Sequence, residues 1–193
     1  MPISAENDAK YPGVAFADIL PGLAGASAMV EAAIGHKPHH EPGFWESVVA
    51  TYLAATRTRH NCPHDLELAI WGKPCRVEVK FSRAYLAKFA TGSRHVLKWA
   101  KVSGTRGSKD ADATVLIGLD VDERVYAWVF PRGCQPSGSC TITAPSARAG
   151  WASDSDAYMV SFHDLLPAVA HAAHNAAITR AEKRGQPDLY GKR

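Results

Sequence analysis

The chain predicts a mixed central β-sheet flanked by helices, an α/β or α+β fold, from three observations. Two alternating runs, Asp65–Ile70 and Cys75–Ser82, stand on either side of a turn-like stretch. A continuous apolar run, Ala113–Leu119, precedes a second one, Val125–Phe130. Two stretches with apolar residues at helical spacing, Gly43–Leu53 and Ser161–Lys183, bracket these strands. At 193 residues, with 46% hydrophobic and 21% charged, the composition fits one compact domain spanning 1–193.

In chain order, residues 1–22 read as an irregular lead-in punctuated by Pro2, Pro12 and Pro21, followed by a short helix near Leu23–Ile34 and a Gly/Pro/His loop. Gly43–Leu53 places Phe44, Trp45, Val48, Val49, Tyr52 and Leu53 on one helical stripe, with Glu46 at its edge. Asp65–Ile70 sets Leu66, Leu68 and Ile70 against Asp65 and Glu67, the period of a half-buried strand, and Trp71–Pro74 reads as the turn into the next one. Ala113–Leu119 is apolar throughout, as in a strand buried on both faces, and Asp120–Glu123 reads as a solvated turn into Val125–Phe130. Residues 131–156, rich in Pro, Gly and Ser, read as an irregular excursion. The last helix, about 161–183, carries an alanine face at Ala172, Ala173, Ala176 and Ala177 that suits close packing on a core or a second subunit.

The chemistry concentrates on Glu78-Val79-Lys80. Val77, Val79 and Phe81 alternate with Glu78, Lys80 and Ser82, so Glu78 and Lys80 share a face. With Trp71–Pro74 as the loop, Glu67 falls opposite Glu78 and Asp65 opposite Lys80. Carboxylates held this close repel unless a cation lies between them, which favours a divalent metal with oxygen ligands, Mg²⁺ or Mn²⁺. Lys80 beside such a metal would serve the attacking water or the charge developing on phosphorus. A second [DE]xK triplet, Asp8-Ala9-Lys10, lacks the strand, the upstream acid and the helix.

This constellation resembles the PD-(D/E)xK nuclease superfamily, the restriction-endonuclease-like fold, over roughly residues 40–131. The resemblance makes Asp65, or Glu67 in its place, the motif aspartate, Glu78 and Lys80 the ExK pair, and Glu46 the additional acid of the preceding helix. It implies metal ligation by Asp65 and Glu78, and Mg²⁺-dependent hydrolysis of DNA phosphodiester bonds by a site-specific type II restriction endonuclease. A repair or junction nuclease and a non-catalytic DNA-binding module are the alternatives. A type II enzyme cutting both strands would be a homodimer. In restriction-like enzymes an excursion such as 131–156 often carries sequence reading.

Charge points the same way. Lys80–Lys109 holds eight Lys or Arg and no Asp or Glu, leaving 14 basic against 19 acidic residues elsewhere. A field of this sign attracts a phosphate backbone, so double-stranded DNA is the expected partner, contacted by Arg83, Arg94, Lys98, Lys101, Arg106 and Lys109. Ser103–Lys109 reads as a flexible loop able to approach a phosphate.

Other classes are disfavoured. No apolar run approaches the ~20 residues that span a bilayer, and the N-terminus lacks a signal-peptide pattern, so a soluble, cytoplasmic protein is expected. Cys62, Cys75, Cys134 and Cys140 form no CxxC pair and are expected to be free thiols. His60–His64 and the group His36, His39 and His40 lack the second half of a tetrahedral zinc site.

Overall fold

The computed structural model describes residues 13–19, 29, 31–33, 35–59, 62–102, 111–136, 138–147 and 153–183. Its strands are β1 (Val14–Ala15), β2 (Thr56–Arg57), β3 (Leu66–Ile70), β4 (Lys73–Arg83), β5 (Tyr85–Phe89), β6 (Gly92–Trp99), β7 (Ala113–Leu119), β8 (Arg124–Pro131), β9 (Cys140–Thr143) and β10 (Met159–Val160). Its α-helices are α1 (Phe16–Ile19), α2 (Pro42–Tyr52) and α3 (Leu165–Lys183).

A seven-stranded sheet runs in the order β1-β8-β7-β4-β3-β2, with β10 also on β8. Only β4 and β7 are parallel, pairing Val77 with Ala113 through Arg83 with Leu119; the other pairs are antiparallel. The sheet is therefore mixed and flanked by helices, as the alternation and the apolar runs predict. A second, three-stranded sheet, β5-β6-β9, lies in the connection between the parallel strands and beyond it.

Each face of the main sheet has its own core. On one, Val77, Val79, Val115, Ile117 and Val129 meet α2 and α3 through Trp45, Val49, Leu165, Val169, Ala172 and Ala176. Trp45 is fully buried and stacks on Phe81, with ring centroids 5.7 Å apart. The alanine face of α3 thus serves this core. On the other face, Leu116, Tyr126, Trp128 and Phe130 pack under Leu97, Trp99 and Ile142 of the small sheet. That approach is close: a Cβ on Gly118 would lie 2.6 Å from Leu97 Cδ1 and 3.1 Å from Trp128 Cζ3.

Several expectations are corrected. The turn between β3 and β4 is Trp71-Gly72 alone, both left-handed at φ 50° and 73°, the conformation of a two-residue type I′ hairpin. Pro74 pairs with Ala69 instead of lying in the turn. Next to a two-residue turn the flanking pair exchanges hydrogen bonds and the following pair does not, so the missing N–H of Pro74 is no loss to β3. On its other side β7 begins pairing only at Val77.

The 131–156 excursion contains ordered structure, because β9 pairs with β6 and 3₁₀ turns occupy Pro145–Ala147 and Asp154–Tyr158. The lead-in includes β1 and α1. The Asp120–Glu123 turn is not simply solvated. Asp120 is buried, and its carboxylate accepts from the Val121 and Ser146 amides at 2.7 and 3.1 Å. Of the proposed Leu23–Ile34 helix only Met29 and Glu31–Ala33 are described, and they are helical. The Ser103–Lys109 loop, with Arg106 and Lys109, lies outside the described residues, as do Asp8–Lys10, His60 and Asn61.

Candidate active site

The two-residue turn slides the expected β3–β4 register by two positions without changing faces. Glu67 now pairs with Arg76 rather than Glu78. Its carboxylate lies 2.8 Å from His64 Nε2 and is half exposed. Asp65 moves from a position opposite Lys80 to one beside Glu78.

Asp65 is where β3 parts from β4. Its amide still donates to the Val77 carbonyl at 3.1 Å, but the ladder goes no further. The next N–H on that edge of β4, from Val79, donates to Asp65 Oδ2 at 2.7 Å. The departure of β3 thus leaves an unpaired amide, and the amide fixes the carboxylate. Thr58 holds the departing chain, with its N–H on the Asp65 carbonyl at 2.8 Å and its hydroxyl on the His64 carbonyl.

Glu78 projects from the opposite face to Val77 and Val79 and is 8% exposed. Lys80, two residues on, donates to Glu78 Oε1. Burial, reinforced by the Glu78 charge, pushes the Asp65 carboxyl up from 3.8 to about 6, while the Val79 bond and Lys80 pull it back and Glu46 adds to the rise. Two carboxylates and one ammonium therefore share a small region, with negative charge in excess.

Glu46, on α2, lies on the far wall. Its Oε2 pairs with Arg57 at 2.5 Å, and Arg57 also donates to Ser47 Oγ at 3.0 Å. Between Glu46 and Asp65 opens a polar cleft of about 180 Å³, further lined by Arg57, Thr58, Arg59, Cys62 and His64. All four expected acid and base residues, Glu46, Asp65, Glu78 and Lys80, thus gather at one end of β4. Sequence reading missed Arg57, Arg59 and His64. The alternation Thr56-Arg57-Thr58-Arg59 was the available signal, too short to stand out as a strand.

The expected basic contacts divide. Lys98 and Lys101 are exposed. Arg94 lies over the Phe89 ring, 4.2 Å from its centroid. Arg83 donates to His40 Nδ1 at 2.7 Å, within a second polar cluster. There His39 Nε2 lies 2.7 Å and Lys37 Nζ 2.9 Å from the Glu123 carboxylate, with His40 Nε2 3.6 Å away. Burial works to raise the Glu123 carboxyl, but hydrogen bonds from Lys37 and His39 prevail and hold it below its ordinary value. Burial and then Arg83 lower the His40 imidazole. The ligand atoms of His39, His40 and Glu123 fall within 4.8 Å of one another. Lys37 and Arg83 bring two cations to the cluster, and the Arg83 bond requires His40 Nδ1 to accept, while His40 Nε2 is buried without a hydrogen-bond partner; the contacts to Glu123 link the His39–His40 turn to the β7–β8 turn. The four cysteines are free thiols.

No family model and no curated protein matches the sequence. Among solved structures the chain is similar to a bacterial homing endonuclease, I-Ssp6803I, with 16% identity, 67% of this chain and 92% of that chain covered, and a TM-score of 0.45. A likeness of that size decides neither fold nor chemistry. No helix among the described residues is long and apolar enough to cross a membrane.

Proposed function

We propose that the chain is a metal-dependent endodeoxyribonuclease of the PD-(D/E)xK type, a site-specific type II restriction endonuclease acting on double-stranded DNA as a homodimer. The observation that carries this reading is the placement of Asp65 against Glu78, with Lys80 on the same face, where β3 leaves β4. An ordinary exposed ion pair needs no second carboxylate pressed beside it. Here that carboxylate is raised to about 6 by burial and by Glu78.

The donor set fits a divalent cation. One Asp65 oxygen accepts from Val79 and one Glu78 oxygen from Lys80, which leaves the second oxygen of each carboxylate for a hard metal such as Mg²⁺, or Mn²⁺ in its place. When bound, the metal would acidify a water and neutralise charge on the phosphate. The side chains of the protein do the rest. Asp65 and Glu78 orient and hold. Lys80 places a positive charge where the pentavalent phosphate gains negative charge, or shifts a proton at the attacking water. Glu46 and Arg57, paired across the cleft, position the phosphate's approach.

Cleavage of supercoiled plasmid and phage DNA by the purified protein with Mg²⁺, Mn²⁺ or EDTA tests the reading. The expected result is discrete fragments with Mg²⁺ that vanish with EDTA and in Lys80→Ala. A smear would demote site specificity in favour of a repair or junction nuclease. No cleavage with any metal, in wild type and variant alike, would overturn the catalytic reading.

A further inference from the structure

The connection between the parallel strands β4 and β7 contains a projecting ribbon that the proposed chemistry does not use. β5 and β6 pair from Tyr85–Val96 to Phe89–Gly92 around the two-residue turn Ala90-Thr91. β5 is the edge strand of its sheet. Tyr85, Leu86 and Phe89 are 46%, 59% and 41% exposed, large apolar side chains on a strand with solvent on both faces. Edge strands of this kind are normally blunted or covered.

Charge decides what covers this one. Lys88 and Lys98 are exposed, the Arg94 guanidinium carbon lies 4.2 Å from the Phe89 ring centroid, and residues 80–102 contain no Asp or Glu. Pairing of β5 with a second copy of itself would bring these cations against their own counterparts. A polyanion meets no such conflict. The ribbon is also tied to the proposed site: only Ala84 separates β5 from β4, and the Lys98 amide donates to Ser82 Oγ at 2.8 Å, two residues along β4 from Lys80 and on its face. Tyr85 therefore lies at most about 17 Å along the chain from Lys80.

We infer that the β5–β6 ribbon enters the major groove of duplex DNA and carries sequence discrimination, with Lys88 and Arg94 on the DNA backbone or base edges and Tyr85 and Phe89 against the bases. The inference rests on the reading of the chain as a DNA-directed nuclease and deepens it. A two-stranded ribbon matches a major groove about 12 Å wide. An arginine already held against an aromatic ring presents its planar donors at reduced loss of freedom.

The test measures binding of the full-length protein to labelled duplex oligonucleotides across a salt series, with Ca²⁺ replacing Mg²⁺, together with selection from a randomised duplex pool. Lys88→Ala/Arg94→Ala is expected to lose affinity about ten-fold or more and to reduce the salt slope by about two. Lys73→Ala, the same type of charge loss at the opposite end of β4, is expected to do neither to that extent. Tyr85→Ala/Phe89→Ala is expected to keep the salt slope and blur the selected sequence. Thermal melts check that each variant is folded, and Lys88→Ala alone, at an exposed position, provides a variant little able to disturb the fold. Wild-type affinity, slope and selected sequence in all the ribbon variants would overturn the inference, as would absence of DNA binding by the wild type. Glu78→Gln separates the two readings. If the ribbon variants behave as expected while neither wild type nor Glu78→Gln cleaves DNA, the ribbon stands and the nuclease reading falls.

Discussion

Replacing Asp65 by asparagine isolates the electrostatic cost of the proposed site. The amide oxygen can still accept from Val79, whose N–H lies 2.7 Å from Oδ2 in the wild type, so the change removes charge and little else. The rise of the carboxyl from 3.8 to about 6 corresponds to roughly 3 kcal/mol of preference for the proton. Solvent access to the group reduces this to about 1–2 kcal/mol. The sign follows from the direction of the rise. Well below pH 3.8 the side chain is neutral in both folded and unfolded chains, and the variant matches the wild type. As pH climbs from about 4 to 6 the unfolded chain ionises first, the wild type loses stability, and above that window the full penalty applies. Asp65→Asn should therefore melt higher than wild type at pH 8 without metal, by about 2–8 °C for a chain of this size. Mg²⁺ should raise the wild-type melting point and leave the variant unchanged, reversing or narrowing the gap. Calorimetry or thermal melts at pH 4 and pH 8, with EDTA or Mg²⁺, supply the data. A variant less stable than wild type at pH 8 in EDTA, or an equal difference at both pH values, would refute the reasoning.

Three further outcomes follow. Lys80→Ala strips the buried Glu78 of its cation and should destabilise the metal-free protein by about 1–3 kcal/mol, part of which Mg²⁺ restores; urea denaturation with and without metal measures it. Gly118→Ala presses a methyl group against Leu97 and Trp128 between the two sheets and should cost about 1–3 kcal/mol with no change in metal response, read from the same denaturation curves. Trp71→Asn places a residue suited to φ 50° before Gly72 and should stabilise by about 0.5–1 kcal/mol; an unchanged or lower melting point would mean that the Trp71–His174 ring contact at 5.9 Å outweighs the backbone gain.

What the sequence disclosed tracks how locally each feature is determined. The alternation of Val77, Val79 and Phe81 with Glu78 and Lys80 depends on neighbours two residues apart, and the faces came out as read. Ala113–Leu119 is buried at every position, as its unbroken apolar run implies. Register was lost at Pro74, because proline signals a turn while an antiparallel ladder tolerates it in a pair that exchanges no hydrogen bonds. β5 escaped notice because a ribbon with solvent on both sides has no reason to alternate, and Tyr85-Leu86 puts two large apolar residues in succession. Four-residue β9 is hidden among Gly, Pro and Ser. The Glu123 cluster depends on a partner 84 residues away in His39, a separation that no local pattern records.

The site follows from the unequal duties of β4. One face of this strand inserts Val77, Val79 and Phe81 into the helix-covered core, where Trp45 stacks on Phe81 and fixes the strand's position. One edge is fully engaged by β7 from Val77 to Arg83. On the other edge, β3 pairs only as far as Val77, so the segment bearing Glu78 and Lys80 has a rigid back, a rigid flank and an edge that no strand among the described residues pairs with. Asp65 is the first residue free to fill that edge, and it does so with a carboxylate rather than a backbone carbonyl. Two neighbouring carboxylates would relax apart on a mobile loop. Held by a core strand and a backbone amide they cannot, and on the proposed reading their repulsion would favour a bound cation. Lys80 supplies a positive charge to Glu78 from within the chain. A divalent ion would displace part of its contact with Glu78, leaving the ammonium available to a phosphate. On that reading the same residue would stabilise the metal-free site and be released on metal binding, which is why Lys80→Ala should affect both stability and cleavage while Asp65→Asn should move them in opposite directions.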